Sequence, residues 1–254
     1  MKIIINADDF GFSKNINESI IYCHQKGCVT STSLMATGKA FDEAVDLLKQ
    51  NPTLGVGVHL VLDGQLNSLY QKSNLYNIYG NFHDQKFVTK ALKKCKFNIN
   101  DIMKEYSNQI EKVLKTGTKI SHLDHHHHLH LYFQSLKAVI AVAKKYKIKY
   151  VRSQKIIMHH RRSISKMLYR LCHQFYTQMH LKTISGYYDL IHLTNNQFNL
   201  EKERLKQLLK RKKGIAEIII HPKEKHDVET KFITDNEIIH LLKPQQLINY
   251  NDLI

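Results

Sequence analysis

The densest group of chemically capable residues is a run of histidines around one aspartate. Residues 121–130 read Ser-His-Leu-Asp-His-His-His-His-Leu-His, which places six histidines within nine positions. Histidine is the commonest metal ligand, and so many imidazoles beside a carboxylate indicate a site for a transition metal or a magnesium-like ion. Alternate residues of an extended segment share a face, so His122 and Asp124 point together and His126 can join them past the strand end. One ion cannot take all six rings, and the others orient ligands, contact substrate or face solvent.

Two adjacent carboxylates, Asp8 and Asp9, follow the apolar segment that begins at Ile3. One interpretation is a turn or helix-cap feature. The other is catalytic: a cation beside one carboxylate removes the repulsion between the two and leaves the other free as a base.

Single histidines stand near the ends of two further apolar segments. His59 lies in Gly55-Val56-Gly57-Val58-His59-Leu60, and His221 follows Ile218-Ile219-Ile220 and precedes Pro222, which stops a strand ladder. A histidine in such a place can be a core residue that is hydrogen-bonded to a backbone carbonyl, or it can belong to a site.

The elements that must position these residues alternate between strand and helix along the chain. The pattern predicts eight strands, near 2–7, 29–35, 54–60, 119–124, 148–152, 188–193, 216–220 and 246–250. It predicts seven helices between them, near 15–26, 40–50, 100–116, 133–146, 162–178, 199–211 and 235–242. This order is typical of an α/β fold with a parallel sheet. Eight strands in 254 residues match the size of a (β/α), TIM-barrel-like barrel, and an open doubly wound sheet is the alternative.

In either architecture the chemistry gathers at the carboxyl ends of the strands. The Asp8-Asp9 pair, His59, the 124–126 segment and His221 all fall at such ends. We therefore expect one domain over residues 1–254, with a single inserted loop region near 63–98. That insertion is either a loop that covers substrate or a packed structural loop.

The charge is strongly basic, with 38 Lys and Arg against 22 Asp and Glu and a net charge of +16. Between Asp124 and Asp189 there is no carboxylate, whereas twelve Lys and Arg lie there. Such a field favours anionic small molecules or surfaces, unless it is only a solvated basic face. The basic residues are not accompanied by a G-x-x-G clamp, zinc-finger spacing or an aromatic RNA-binding signature, so a nucleic-acid partner is not expected. Arg152, at the end of the fifth strand, is a candidate contact for a substrate anion or sugar hydroxyl.

No apolar stretch approaches the roughly 18 residues of a membrane span, and no secretory signal is evident after Met1. We therefore expect a cytoplasmic protein. The four cysteines show no metal-binding or disulfide pattern, and we expect them to be reduced thiols.

Five motifs together resemble the YdjC-like carbohydrate deacetylases, the group that includes chitooligosaccharide deacetylase. They are N-A-D-D-F-G at the start, G-V-H-L-V-L at 57–62, H-L-D-x-H-H-H-x-H at 122–130, I-I-I-H-P at 218–222 and the closing L-I-N-Y at 247–250. The resemblance implies a deviant (β/α) barrel and metal-dependent removal of acetyl groups from N-acetylated sugars. A homodimer is also implied.

By the same resemblance Asp9, His59 and His126 match the metal ligands, and Asp8 matches the base. His221 is assigned as the acid by analogy with other polysaccharide deacetylases. Asp124 and Arg152 are assigned to the substrate. The family usually has serine where this chain has His125, so His125 could replace or assist His126.

The implied ion is Mg²⁺, although two histidines and one carboxylate suit Zn²⁺, Mn²⁺, Co²⁺ or Fe²⁺ better. A phosphorylated or acidic glycan is expected if the basic region faces the pocket. Two rival functions stay open. One is an iron oxygenase with the same ligand types, which turnover of 2-oxoglutarate would reveal; the other is a non-catalytic, basic metal- or glycan-binding protein.

Overall fold

The fold is taken from a computed structural model of the chain, which describes residues 1–64, 66–70, 73–157, 164–190, 193–211 and 213–254, with only the backbone for 164–167. Within these residues the strands are β1 Lys2–Phe10, β2 Ser31–Leu34, β3 Gly55–Leu60, β4 His122–His125, β5 Tyr150–Val151, β6 Gly186–Asp189, β7 Ile215–Ile220 and β8 Gln246–Leu247. The α-helices of the same residues are α1 Lys14–Gln25, α2 Phe41–Gln50, α3 Gln85–Lys93, α4 Ile99–Leu114, α5 Phe133–Lys145, α6 Ile164–Gln178, α7 Phe198–Leu209, α8 Val228–Thr234 and α9 Asn236–Leu242.

All strand pairs in this sheet are parallel, in the order β5-β4-β3-β2-β1-β7-β6, with β8 beside the start of β1. In this order β5 and β7 are five steps apart, which in a flat sheet would be roughly 24 Å. The Arg152 guanidinium, directly after β5, nevertheless contacts Glu217 of β7 at 2.9 Å. The sheet is therefore strongly curled, with the side chains of distant strands meeting inside the curl.

The curl forms a half-barrel, and the expected full closure is not seen in the described residues. In the part of the chain that the structure describes, β5 and β6 share no ladder, and isolated bridges join Tyr150 to Lys182 and Ile156 to Tyr187. The reason is that β5 has only two residues, too few for a continuous ladder on both of its sides. The α/β class is confirmed, whereas the closed barrel expected from eight strands is corrected to a half-barrel.

The two faces of the sheet differ sharply in polarity. On β1, Ile3, Ile5 and Ala7 belong to the large apolar core formed with the helices. The alternate residues Asn6 and Asp8 are also buried, but on the inner face of the curl. The same alternation holds on β3, β4 and β7, and it brings polar side chains into one buried interior.

The close packing of this interior depends on Gly57 of β3. The imidazole of His122 stacks on the Tyr250 ring at 3.8 Å between centroids. A methyl group at position 57 would lie 2.4 Å from the His122 ring. Because Gly57 has no side chain, it leaves room for the His122 ring.

We expect Gly57→Ala to destabilise the protein by about 1–3 kcal/mol, because the stacked ring has nowhere to move. Urea denaturation measures the change. In a double-mutant cycle, His122→Ala should remove most of the added cost, since it empties the contested space. If the changes in the free energy of unfolding caused by Gly57→Ala and His122→Ala were strictly additive, they would contradict a contact between position 57 and the His122 ring.

The 63–98 insertion packs on α4 through a buried carboxylate, Glu105. Its oxygens accept hydrogen bonds from the backbone N–H of Leu69 and Tyr70 and from the Tyr76 hydroxyl. Phe82 is fully buried beneath the same segment. These contacts favour the packed structural loop over a mobile cover.

Two helices, α3 and α8, lie outside the sequence prediction. α3 falls inside the insertion, where Asp84 caps its start and Val88, Ala91 and Leu92 are buried at helical spacing. The predicted strand near 188–193 overlaps β6 at Tyr188 and Asp189, and residues 191–192 lie outside the described part of the chain. Among the described residues no helix is both long and apolar enough to traverse a bilayer.

Candidate active site

Three donor side chains from separate strand ends meet at the mouth of the curl. Asp9 Oδ1 lies 3.3 Å from His59 Nε2 and 3.2 Å from His126 Nδ1. One donor atom from each of the three residues lies within 4.8 Å of the others. Asp9 reaches this position with a left-handed φ of 67°, a conformation that costs energy for a side chain other than glycine and is found at functional sites.

Asp124 holds His59 in the orientation that this cluster requires. Its Oδ1 lies 2.9 Å from His59 Nδ1, which leaves His59 Nε2 directed at Asp9. Its other oxygen accepts a hydrogen bond from the Ser33 hydroxyl at 2.7 Å. A carboxylate behind a metal-ligating imidazole fixes the tautomer and the ring position, and this geometry has that form.

Arg152 is fully buried and joins three carboxylates. Its guanidinium donates two parallel hydrogen bonds to Asp8, at 2.7 and 2.6 Å. It also contacts Glu217 at 2.9 Å and Asp124 at 2.6 Å. Paired bonds of this kind fix the plane of the Asp8 carboxylate.

These partners differ from the substrate contacts expected of Arg152 and Asp124. Neither side chain has any exposed surface, and the polar groups of each are directed at other residues of the interior. The sequence expectation rested on their place at strand ends, which does not reveal whether a side chain turns toward solvent or back into the curl.

His221 lies across from Asp8, with its Nε2 3.8 Å from Asp8 Oδ2. Its Nδ1 is 3.6 Å from Glu229 of α8, whose carboxylate also accepts the backbone N–H of His221. Burial alone would lower the pKa of His221, but the carboxylates of Glu229, Asp8, Asp189 and Asp9 raise it to about 9. The ring is consequently protonated at neutral pH.

The residues of the donor cluster and their neighbours shift the pKa values of Asp9 and His59. Burial alone would raise the pKa of Asp9, yet hydrogen bonding and charge from His126 and His59 bring it well below its usual value. Burial would likewise lower the pKa of His59, whereas Asp124 and Asp8 raise it well above its usual value. The raised pKa favours the protonated ring of His59, and a metal ion that binds this ring must compete with the proton.

Several interior residues escaped the sequence analysis: Asn6, Ser33, Glu217 and Tyr250. Asn6 donates to Asp8 at 2.8 Å, and Tyr250 donates to Glu217 at 3.0 Å. Burial raises the pKa of Glu217, Arg152 counteracts this, and the result is about 7. Period-two polar residues within apolar strands, as in Ala216-Glu217-Ile218, were the signal that could have found them.

A known protein family matches nearly the whole chain. The model of the YdjC-like protein family matches residues 2–246. The chain belongs to the YdjC-like family.

Relatives of this YdjC-like chain are named carbohydrate deacetylase. The one from Clostridium beijerinckii is 33% identical over the full length of both chains. Those from Oceanobacillus iheyensis and Brevibacillus brevis are 36% and 37% identical, in matches that span 63% and 58% of their lengths and 58% of this chain.

Among solved structures, a protein described as a cellobiose-phosphate cleavage protein from Enterococcus faecalis superposes with a TM-score of 0.82. It is 25% identical and covers 99% of this chain and 98% of its own. A lactam utilization protein from Thermus thermophilus shares the fold alone, with a TM-score of 0.54, 13% identity and coverage of 98% and 99%.

The histidine that departs from the usual YdjC-like pattern, His125, lies away from the donor cluster. As the last residue of β4 it points to the opposite face from Asp124, where it meets the Tyr106 ring of α4 edge-on. Burial lowers the pKa of His125 to about 3. Strand alternation thus separates neighbours in sequence, and His126 is the ring that joins Asp9 and His59.

Proposed function

We propose that this YdjC-like protein is a metal-dependent hydrolase that removes acetyl groups from N-acetylated sugars. The observation that carries the proposal is the convergence of Asp9, His59 and His126 beside the Asp8–Arg152 pair and His221. The names of the relatives support the same reaction. The combination supplies a cation site, a candidate base and a candidate acid within one small volume.

Asp9, His59 and His126 would hold the ion. The donor set fits a divalent metal because one carboxylate and two imidazoles present atoms to a common space and His59 is fixed from behind by Asp124. A bound ion would polarise the amide carbonyl and make a nearby water more acidic. The types of donor favour Zn²⁺, Mn²⁺ or Co²⁺, and the family resemblance favours Mg²⁺.

Asp8 is the proposed general base, which takes a proton from the attacking water. Arg152 and Asn6 hold its carboxylate in place. His221 is the proposed general acid, because its raised pKa keeps a proton available for the departing sugar amine. We assign Arg152 and Asp124 to positioning, through Asp8 and His59 respectively.

The pH dependence of the rate should report the proton on His221. We expect kcat/KM to fall at alkaline pH, by about tenfold per pH unit, as the acid loses its proton, because the carboxylates around His221 raise its pKa above the usual value. Glu229→Gln should move this limb to lower pH, because it removes a carboxylate that raises the pKa. An unchanged alkaline limb in Glu229→Gln would exclude His221 as its source.

Metal affinity should depend on pH through His59. Because the pKa of His59 is raised, an ion must compete with its proton, and we expect affinity to weaken as the pH falls below that raised pKa, by up to about tenfold for each pH unit. Calorimetric titration with Zn²⁺ in buffers of different ionisation heat measures the released proton. Affinity independent of pH would show that the ion binds elsewhere.

The substrate is proposed to be a chito-oligosaccharide or a related glycan, with a phosphate or acidic group. Support comes from the basic 125–188 region, in which Lys137, Lys144 and Lys155 are exposed. Arg161 and Arg162 of that region lie outside the described residues. Equal rates on neutral and phosphorylated chitobiose at low salt would contradict an anionic preference. The homodimer and the cytoplasmic location stay predictions.

The decisive experiment measures acetate released from N-acetylglucosamine oligomers before and after treatment with a chelator. We expect release that stops with chelation and returns with added metal. Metal binding without acetate release from neutral or phosphorylated oligomers would favour the non-catalytic binding protein instead.

A further inference from the structure

A second donor cluster adjoins the first and is not used by the proposed reaction. It consists of Asp63, His126 and His127, and one donor atom from each lies within 4.8 Å of the others. Asp63 follows β3 at the start of the insertion, and the two histidines follow β4. The cluster thus joins two neighbouring strand ends, and it shares His126 with the first cluster.

Asp63 is the buried anchor of this cluster. Its side chain has no exposed surface, and its Oδ2 lies 2.9 Å from His127 Nδ1. Its Oδ1 is buried and has no hydrogen-bond partner in the described part of the chain. A buried carboxylate oxygen without a partner is costly, and such an atom indicates a missing water or ion.

The two edges of the His126 ring face different parts of the site. Its Nδ1 lies 3.2 Å from Asp9. Its opposite edge faces the loop that carries Asp63, because a Cβ built on Gly64 would be 3.7 Å from His126 Nε2. The His127 ring lies beside it, with 3.8 Å between centroids.

The backbone brings the two rings together. His127 adopts a left-handed conformation with a φ of 51°, which interrupts the turn after β4. A simple ion pair between Asp63 and His127 would account for one carboxylate oxygen. It would leave the second oxygen and the outer edge of His126 without a role.

We propose that Asp63, His127 and the outer nitrogen of His126 form a second divalent-cation site beside the first. Two imidazoles and one carboxylate suit Zn²⁺ or Co²⁺. Simultaneous occupation of both sites makes His126 a bridging ligand, so its ring must lose the remaining N–H proton to solvent. The inference rests on the proposed function only through this shared ring.

The place of the second site defines what it can bind. About a third of the His127 side chain is exposed, so the open positions of the ion face solvent. They are available to oxygen donors, such as a sugar hydroxyl or a phosphate on the substrate. The second ion would also add positive charge at the rim where the insertion begins.

Zinc stoichiometry tests the inference without reference to activity. Untagged protein is dialysed against Zn²⁺, its metal content is measured by mass spectrometry, and the binding steps are resolved by calorimetry. We expect Asp63→Asn to bind one ion fewer than the wild type, His59→Ala also one fewer, and the double variant two fewer. His240→Gln, which alters an exposed histidine on α9, should bind as many as the wild type.

Each outcome separates the two sites. If Asp63→Asn binds as many ions as the wild type while His59→Ala loses one, the second site is wrong and the first stands. If His59→Ala binds as many ions as the wild type while Asp63→Asn loses one, the proposed catalytic site is wrong and the second site stands. Should Asp63→Asn fail to fold, His127→Gln at the more exposed position replaces it, with the same expected loss of one ion.

Discussion

Asp8→Asn is expected to lower kcat by about 10²–10⁴-fold and to leave metal affinity close to that of the wild type. General base catalysis contributes a factor of this size, and an amide cannot take the proton from water. Asparagine keeps the shape of the side chain, and Asp8 is not one of the three donors grouped around Asp9. Steady-state acetate release and Zn²⁺ calorimetry measure the two effects separately.

Glu217 offers a matched control, because its carboxylate contacts the same Arg152 guanidinium as Asp8. Glu217 is not part of a donor cluster among the described residues. Glu217→Gln should therefore lower kcat by less than about tenfold. Near-native turnover of Asp8→Asn, or an equal loss in both variants, would remove Asp8 from the role of base.

Arg152→Met is expected to destabilise the fold by about 3–5 kcal/mol, the usual cost of removing one partner from a buried ion pair. Asp8, Asp124 and Glu217 would then share an interior without their cation. Burial already raises the pKa of Glu217 to about 7 even with Arg152 present. Part of the strain would accordingly be relieved by protonation, so the loss should be smaller at low pH.

Urea denaturation at two pH values measures this effect. Lys155→Met, at an exposed position of the same basic region, should change stability by no more than about 0.5 kcal/mol. Arg152→Lys keeps the charge but lacks the planar fork, and its loss should fall between the two. A stability of Arg152→Met equal to that of Lys155→Met would show that the three carboxylates do not depend on the guanidinium.

Local patterns in the sequence predicted most of the elements. Apolar repeats at helical spacing located helices such as α2, whose buried residues Phe41, Ala44, Val45 and Leu48 form one stripe. Short β-branched segments located the strands to within a few residues. The physical reason is that the period of a buried face is a local property of the chain.

The sequence also placed Asp9, His59 and His126 in one group, through strand ends and the resemblance to a family. Parallel strands deliver their carboxyl ends to the same edge of a sheet, so residues distant in the chain become neighbours. The role of each side chain within that group did not follow from the same rule.

Only the tertiary structure decided which way each polar side chain turns. Arg152 faces inward to three carboxylates because the sheet curls until β5 and β7 meet, and this curl is a property of the whole sheet. His125 and His126 are adjacent in sequence, yet strand alternation directs His125 toward α4 and leaves His126 with Asp9. Asp63 and His127 are brought together by two loops that no local pattern connects. The sequence thus determined the elements and the types of donor, whereas curvature and loop packing, which sum contacts over the whole chain, decided their partners.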